Sequence, residues 1–361
     1  MTKAFPELTL VQSIVQSLSG KARIEQLATI PLPSWALKKQ PREFPMYAMS
    51  LGSTRPDVPV FGITGGVHGL ERIGTQVVLS YLVSMVERLS WDETLQRDLE
   101  NMRIVFVPLV NPVGMYLERR SNGNGVDLMR NAPIDAEDDP SFMVCGQRIS
   151  PILPWYRGKL GEAMELENRV LCDFVKRESF QSPMSMWIDV HSGYGIKDRL
   201  WFPYAKSSKP FPKLPEVYAL KKLLDRTYPY HVYQVEPQAS QYTTHGDVWD
   251  YLYEERMKAH AAASVGAGGG NASIGSKEPF FLPLTLEMGS WMWIRKNPFQ
   301  VFSFLGPFNP VKPHRKKRTL RRHLTLFDFL MRSLASHRGW AAPTGDLRNE
   351  LLREASATWY E

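Results

Sequence analysis

Val58-Pro59-Val60-Phe61-Gly62-Ile63-Thr64-Gly65-Gly66-Val67-His68-Gly69-Leu70-Glu71 runs from an apolar segment into a glycine-bounded turn that carries a histidine and a carboxylate. The apolar part, residues 58–64, is rich in β-branched and aromatic side chains and reads as a buried strand. Beyond the turn, residues 75–89 place Val77, Val78, Tyr81, Leu82, Met85 and Leu89 on one face of a helix. His68 and Glu71 lie three residues apart, so on the opening turn of that helix they share a face. An isolated pair of this kind is common by chance. A histidine and one carboxylate supply two zinc ligands, and a catalytic zinc takes a third while keeping a fourth position for water.

The same strand and helix alternation recurs along the rest of the chain. Residues 102–109, 184–190 and 280–286 read as further strands, and residues 162–177 as a helix with Leu166, Val170, Leu171 and Phe174 inward. Pro283 within the last strand predicts an edge position or a bulge there. Strands separated by helices predict an α/β fold with a mixed, mostly parallel central sheet flanked by helices. In such sheets ligands gather beyond the carboxyl ends of the strands. His191 stands at such an end in Asp189-Val190-His191-Ser192-Gly193 and fits the third position, with a hydrogen-bonded structural histidine as the alternative. Glu287 stands at another, in Leu286-Glu287-Met288-Gly289. An acid closing a buried strand costs free energy unless it is solvated, paired or used. Its functional reading is the general base that takes a proton from water.

Composition sets the remaining bounds. The 361 residues are 43% hydrophobic and 22% charged, which suits one large α/β domain. Residues 1–45 read as a helical lead-in and a proline-punctuated loop, residues 262–276 as a flexible Gly-rich insertion, and residues 341–361 as a C-terminal tail. The N-terminal twenty residues lack a continuous apolar core, no apolar run suffices to span a bilayer, and the two cysteines suggest no disulfide framework, so a cytoplasmic location without membrane contact is expected. The net charge of +7 gathers partly in a basic run at residues 312–322, read as a solvated helix start or loop. No zinc-finger spacing or aromatic-interleaved basic strand supports nucleic-acid binding.

Five motifs in order, GGVHGLE, Asn-Pro-Val-Gly at 111–114, Gly-Val-Asp-Leu-Met-Arg-Asn at 125–131, DVHSG and LEMG, together resemble the M14 family of zinc carboxypeptidases, near its desuccinylase and aspartoacylase branch. The resemblance runs from about residue 58 to 289. It implies one zinc per chain held by His68, Glu71 and His191, with Glu287 as base. It also implies that Asp127 orients the first histidine, that Arg120 (or its neighbour Arg119) stabilises the oxyanion, and that Arg130 and Asn131 hold the substrate's terminal carboxylate. The family's mobile tyrosine is matched to Tyr253, with Tyr251 the runner-up. The family's usual Asn-Arg-Asn is here Met129-Arg130-Asn131, and methionine cannot donate the hydrogen bond that asparagine gives. The implied activity is hydrolysis of a peptide or amide bond beside a carboxylate. Deacylation of an N-acyl amino acid uses the same apparatus, and a non-catalytic zinc- or peptide-binding role is the reading from another class. The partners expected are a small peptide or N-acyl amino acid. Oligomeric state is left open.

Overall fold

A computed structural model describes residues 4–36, 41–138, 140–266, 279–341 and 343–361. In chain order the elements are α1 (Pro6–Ser17), β1 (Arg23–Pro31), β2 (Glu43–Gly52), β3 (Val60–Gly65), α2 (Arg72–Arg88), α3 (Glu93–Asn101), β4 (Arg103–Val107), α4 (Pro112–Leu117), α5 (Leu166–Ser179), β5 (Met184–Ser192), β6 (Arg199–Phe202), α6 (Leu214–Thr227), β7 (Gln234–Pro237), α7 (Val248–Gly266), β8 (Phe280–Met288), α8 (Trp291–Lys296), α9 (Pro313–Ala335) and α10 (Gly345–Trp359). The strands form one eight-stranded sheet in the order β1-β2-β4-β3-β5-β8-β6-β7. Its centre, β4-β3-β5-β8, is parallel throughout, while β1, β2 and β6 enter antiparallel to their inner neighbours.

Both faces of the parallel centre are covered, which explains why these strands read as continuous apolar runs. Phe106, Ile63 and Ile188 are register partners and so share one face. There the Tyr81 ring of α2 meets Phe106 and the Phe327 ring of α9. Gly62 and Trp187 point the other way, where the indole packs against Phe174 of α5 and Trp249 of α7. A Cβ on Gly62 would lie 2.2 Å from that indole, so only glycine fits.

Four expectations need correction. Residues 23–31, within the stretch 1–45 expected to be helix and loop, form strand β1, which pairs with β2 starting at the end of that stretch. β1 is an edge strand, mostly exposed or half-buried, and a register shift between Gln26 and Ala28 breaks its alternation, so no apolar period marks it. β8 is interior, between β5 and β6. Pro283 is tolerated because β6 pairs with β8 only over residues 285–287, leaving the first half of β8 flanked by β5 alone. The expected C-terminal tail holds α10, which packs on α6. The His68–Glu71 turn precedes α2, with Glu71 as the residue capping it. Of the Gly-rich stretch, residues 262–266 continue α7 and residues 267–276 lie outside the described residues. The basic run opens α9, whose first turns are largely exposed. Among the described residues no helix is long and apolar enough to cross a membrane.

Candidate active site

The carboxyl ends of β3, β5 and β8 lie side by side, and the chemistry gathers just beyond them. Gly65 pairs in register with Val190, and His191 with Glu287. Asn111, which caps α4, ties the first turn down: its Nδ2 donates to the carbonyl of Val67 at 3.0 Å, and its Oδ1 accepts from the amide of Gly114 at 2.8 Å. A Cβ on Gly69 would lie 2.1 Å from the Gly114 backbone. Gly69 is thus required by the close approach of the two backbones, while a Cβ on Gly114 would meet the Asn111 side-chain amide and the Ser121 carbonyl.

His68, Glu71 and His191 are buried, and their ligand atoms all lie within 4.8 Å of one another. The Glu71 carboxylate faces this cluster rather than the start of α2; Oε2 accepts from the amide of Ser192 at 2.9 Å and lies 3.2 Å from His191 Nδ1. His191 Nε2 donates to Asp189 Oδ2 at 2.8 Å, which leaves Nδ1 for a metal. Asp189 also accepts from Trp249 Nε1 at 3.0 Å and from Thr64 Oγ1 at 2.7 Å. Asp127 Oδ1 lies 3.8 Å from His68 Nδ1, a buried nitrogen without a hydrogen-bond partner. An orphaned imidazole nitrogen, a second imidazole aimed by its carboxylate and a convergent glutamate are the donor set a zinc ion takes.

Electrostatics suit the same purpose. Burial, and then the charge of Arg120, push His68 well below its usual range, so the ring is neutral and ready to ligate. Burial opposes charge on His191, but Asp189 and Glu71 hold it well above its usual range. Burial would raise Asp127, yet Arg120, His68 and Arg130 hold its carboxyl well below the ordinary carboxylate range. Burial, and then Glu71, push Glu287 up to about 8, and its Oε1 accepts from the amide of Tyr194 at 3.0 Å.

These groups open on one cleft of about 360 Å³. Arg120 lines it, with Nε on Asp127 Oδ2 at 2.9 Å and Nη1 3.4 Å from Glu71 Oε1. Its neighbour Arg119 turns away, over the Trp35 ring. Arg130 also lines the cleft; its Nη1 reaches the Met129 carbonyl at 3.4 Å, and its guanidinium lies 5.9 Å from the centre of the Tyr242 ring. Met129 forms part of the wall.

Two assignments do not reach the cleft. Asn131 is engaged elsewhere, donating to the Arg157 carbonyl at 2.9 Å and accepting from the amide of Glu165 at 2.7 Å, so it braces the loop before α5. Tyr253 sits in the core on α7, its ring 4.8 Å from Phe211 and 5.8 Å from Tyr204. The runner-up, Tyr251, lies beneath Lys176. The tyrosines that do line the cleft are Tyr194 and Tyr242, which the spacing from Asp250 could not single out. Asp189 was legible in principle, because residues two apart on a strand share a face.

The family model for zinc carboxypeptidases of M14 matches residues 2–283. The chain belongs to that family. The match ends just before Glu287. Carboxypeptidase A1 of Rattus norvegicus is 25% identical over 192 residues, which cover 49% of this chain and 43% of that protein. Carboxypeptidase D of Drosophila melanogaster is 25% identical over 164 residues, 43% of this chain and 10% of that one. The chain therefore spans less than half the length of these curated relatives. Among solved structures, bovine thrombin-activatable fibrinolysis inhibitor in complex with tick carboxypeptidase inhibitor superposes with a TM-score of 0.62 at 16% identity, over 93% of this chain and 97% of that one. Carboxypeptidase A of Helicoverpa armigera gives 0.56 at 13% identity, over 90% and 71%. At such identities the likeness concerns the zinc carboxypeptidase fold.

Proposed function

We propose that this chain is a zinc-dependent carboxypeptidase that hydrolyses the amide bond next to a free carboxylate of a small peptide. The observation that carries the reading is the convergence of His68, Glu71 and His191 with Glu287, Arg120 and Arg130 on one cleft. One zinc per chain fits the donor set; when bound, it supplies Lewis acidity and a water that ionises near neutral pH. Glu287, with its raised affinity for protons, takes a proton from the attacking water and returns it to the leaving amine. Its carboxylate is held for this by the Tyr194 amide. Arg120, fixed by Asp127, places a guanidinium beside the reacting carbonyl and stabilises the oxyanion. Arg130 offers the substrate carboxylate a buried guanidinium that has no carboxylate partner among the described residues.

Met129 bears equally on a second reading, deacylation of N-acyl amino acids, whose substrates carry the same carboxylate beside the scissile amide. The thioether in the cleft wall donates no hydrogen bond, so the anchoring of a peptide's α-carboxylate rests more heavily on Arg130. The deciding experiment is metal analysis of the purified chain beside turnover of a blocked dipeptide and of an N-acyl amino acid, in wild type and in Glu287→Gln. About one zinc in both proteins and a turnover lower by about 10²–10⁴ in the variant are expected. Hydrolysis unchanged by the substitution overturns the assignment of the base.

A further inference from the structure

A second cavity, of about 420 Å³, lies between residues 196–198, helix α8 and the first turns of α9. It shares no lining residue with the cleft. Lys197, Lys296, Arg315, Arg318 and Arg322 converge on it from three separate segments, and Asp198 is the one carboxylate in its lining. That carboxylate is already engaged: Oδ2 accepts from Arg322 at 2.5 Å, and Oδ1 from the amide of Gly289 at 3.0 Å. Arg315 is held in place by the carbonyls of Trp293 and Lys296, at 3.1 and 3.2 Å. Among the described residues, Lys197, Lys296 and Arg318 have no carboxylate within ion-pairing distance. Some surface cations are matched, as in Lys221–Asp225, Lys222–Glu354 and Arg348–Glu216, and others, such as Arg97 and Arg169, stand singly among the described residues; what sets this cavity apart is five cations around one concave wall with a single, engaged carboxylate. Gathering like charges around a concave wall costs free energy that a counter-anion removes. Guanidinium forks beside ammonium groups suit the oxygens of a phosphate.

We propose that this cavity binds a phosphate-class oxyanion, either free or carried by a small organic molecule such as a nucleoside monophosphate. The site is independent of the chemistry in the cleft, though the two adjoin. Residues 194–198 form one segment, with the Tyr194 amide on Glu287 and the Asp198 carboxylate on Gly289, so the anion rests against the chain that holds the catalytic base.

The test is calorimetric titration of the full chain at low salt with inorganic phosphate, pyrophosphate and AMP. Wild type is compared with the Lys296→Glu/Arg318→Glu double variant and with Arg130→Ala. Lys296 and Arg318 are exposed, so reversing their charge leaves the core intact. Wild type is expected to take up one anion per chain. The double variant binds about tenfold more weakly or worse, the loss of a charge-assisted hydrogen bond, and Arg130→Ala binds as wild type does. Tighter binding of AMP than of phosphate assigns the carried form, and tighter binding of phosphate or pyrophosphate assigns the free anion. Three results overturn the proposal: no uptake by wild type, uptake that survives in the double variant, or uptake lost in Arg130→Ala, which places the anion in the cleft.

Discussion

The His191 ring is oriented by a neighbour on its own strand. Asp189 lies on the same face of β5, and Trp249 of α7 and Thr64 of β3 hold its carboxylate in turn. Burial works against charge on Asp189, but His191 and these hydrogen bonds keep its carboxyl below the ordinary range. Such a chain fixes the ring before any metal arrives. Asp189→Asn preserves shape and removes the charge. Zinc affinity should fall by about 10–100-fold in a chelator-competition titration, with the circular dichroism spectrum unchanged. Unaltered affinity would mean that Asp189 serves only the packing between β5 and α7.

At the scale of elements, the sheet and its helices meet with little tolerance. Gly62→Ala drives a methyl into the Trp187 indole, between β3 and the helices α5 and α7. Overpacking of this kind costs about 1–3 kcal/mol, to be read as a lowered midpoint in urea with an unchanged slope. A second prediction belongs to the start of α5. Glu167 is buried there, and Asn122 Nδ2 lies 3.4 and 3.3 Å from its two oxygens. Burial pushes its carboxyl up from 4.5 to about 7. Between those values the folded chain binds more protons than the unfolded one, so this contribution is complete below pH 4.5 and is lost as the pH rises through 7. The span corresponds to roughly 3 kcal/mol. Glu167→Gln should flatten that part of the stability profile, and a variant with the wild-type pH slope would show that the carboxyl is ionised throughout.

Over the whole molecule, the proposed metal site joins the loop after β3 to the end of β5, segments distant in sequence that only the folded chain brings together. A zinc ion binding the native state alone stabilises it by about 2.7 kcal/mol at a hundredfold excess over Kd. Calorimetric melting should therefore show a midpoint that rises with zinc and falls with chelator, and His191→Ala should remove the response. A midpoint in the variant that still tracks zinc would place the ion elsewhere.

Reading along the chain is enough to find the strand, turn and helix unit around His68, the apolar runs of the parallel centre, the ordered motifs and the candidate ligands. All of these are carried by side-chain period and spacing within one segment. Tertiary structure decided what depends on elements meeting across the chain. Sheet order set β8 inside rather than at an edge. The docking of α7 turned Tyr253 into the core and Trp249 onto Asp189, while the loop before α7 brought Tyr242 to the cleft. The edge strand β1, too exposed to show an apolar period, was recognisable only through its pairing with β2. Local chemistry is written along the chain, but which side chain fills a given space depends on distances that only packing fixes.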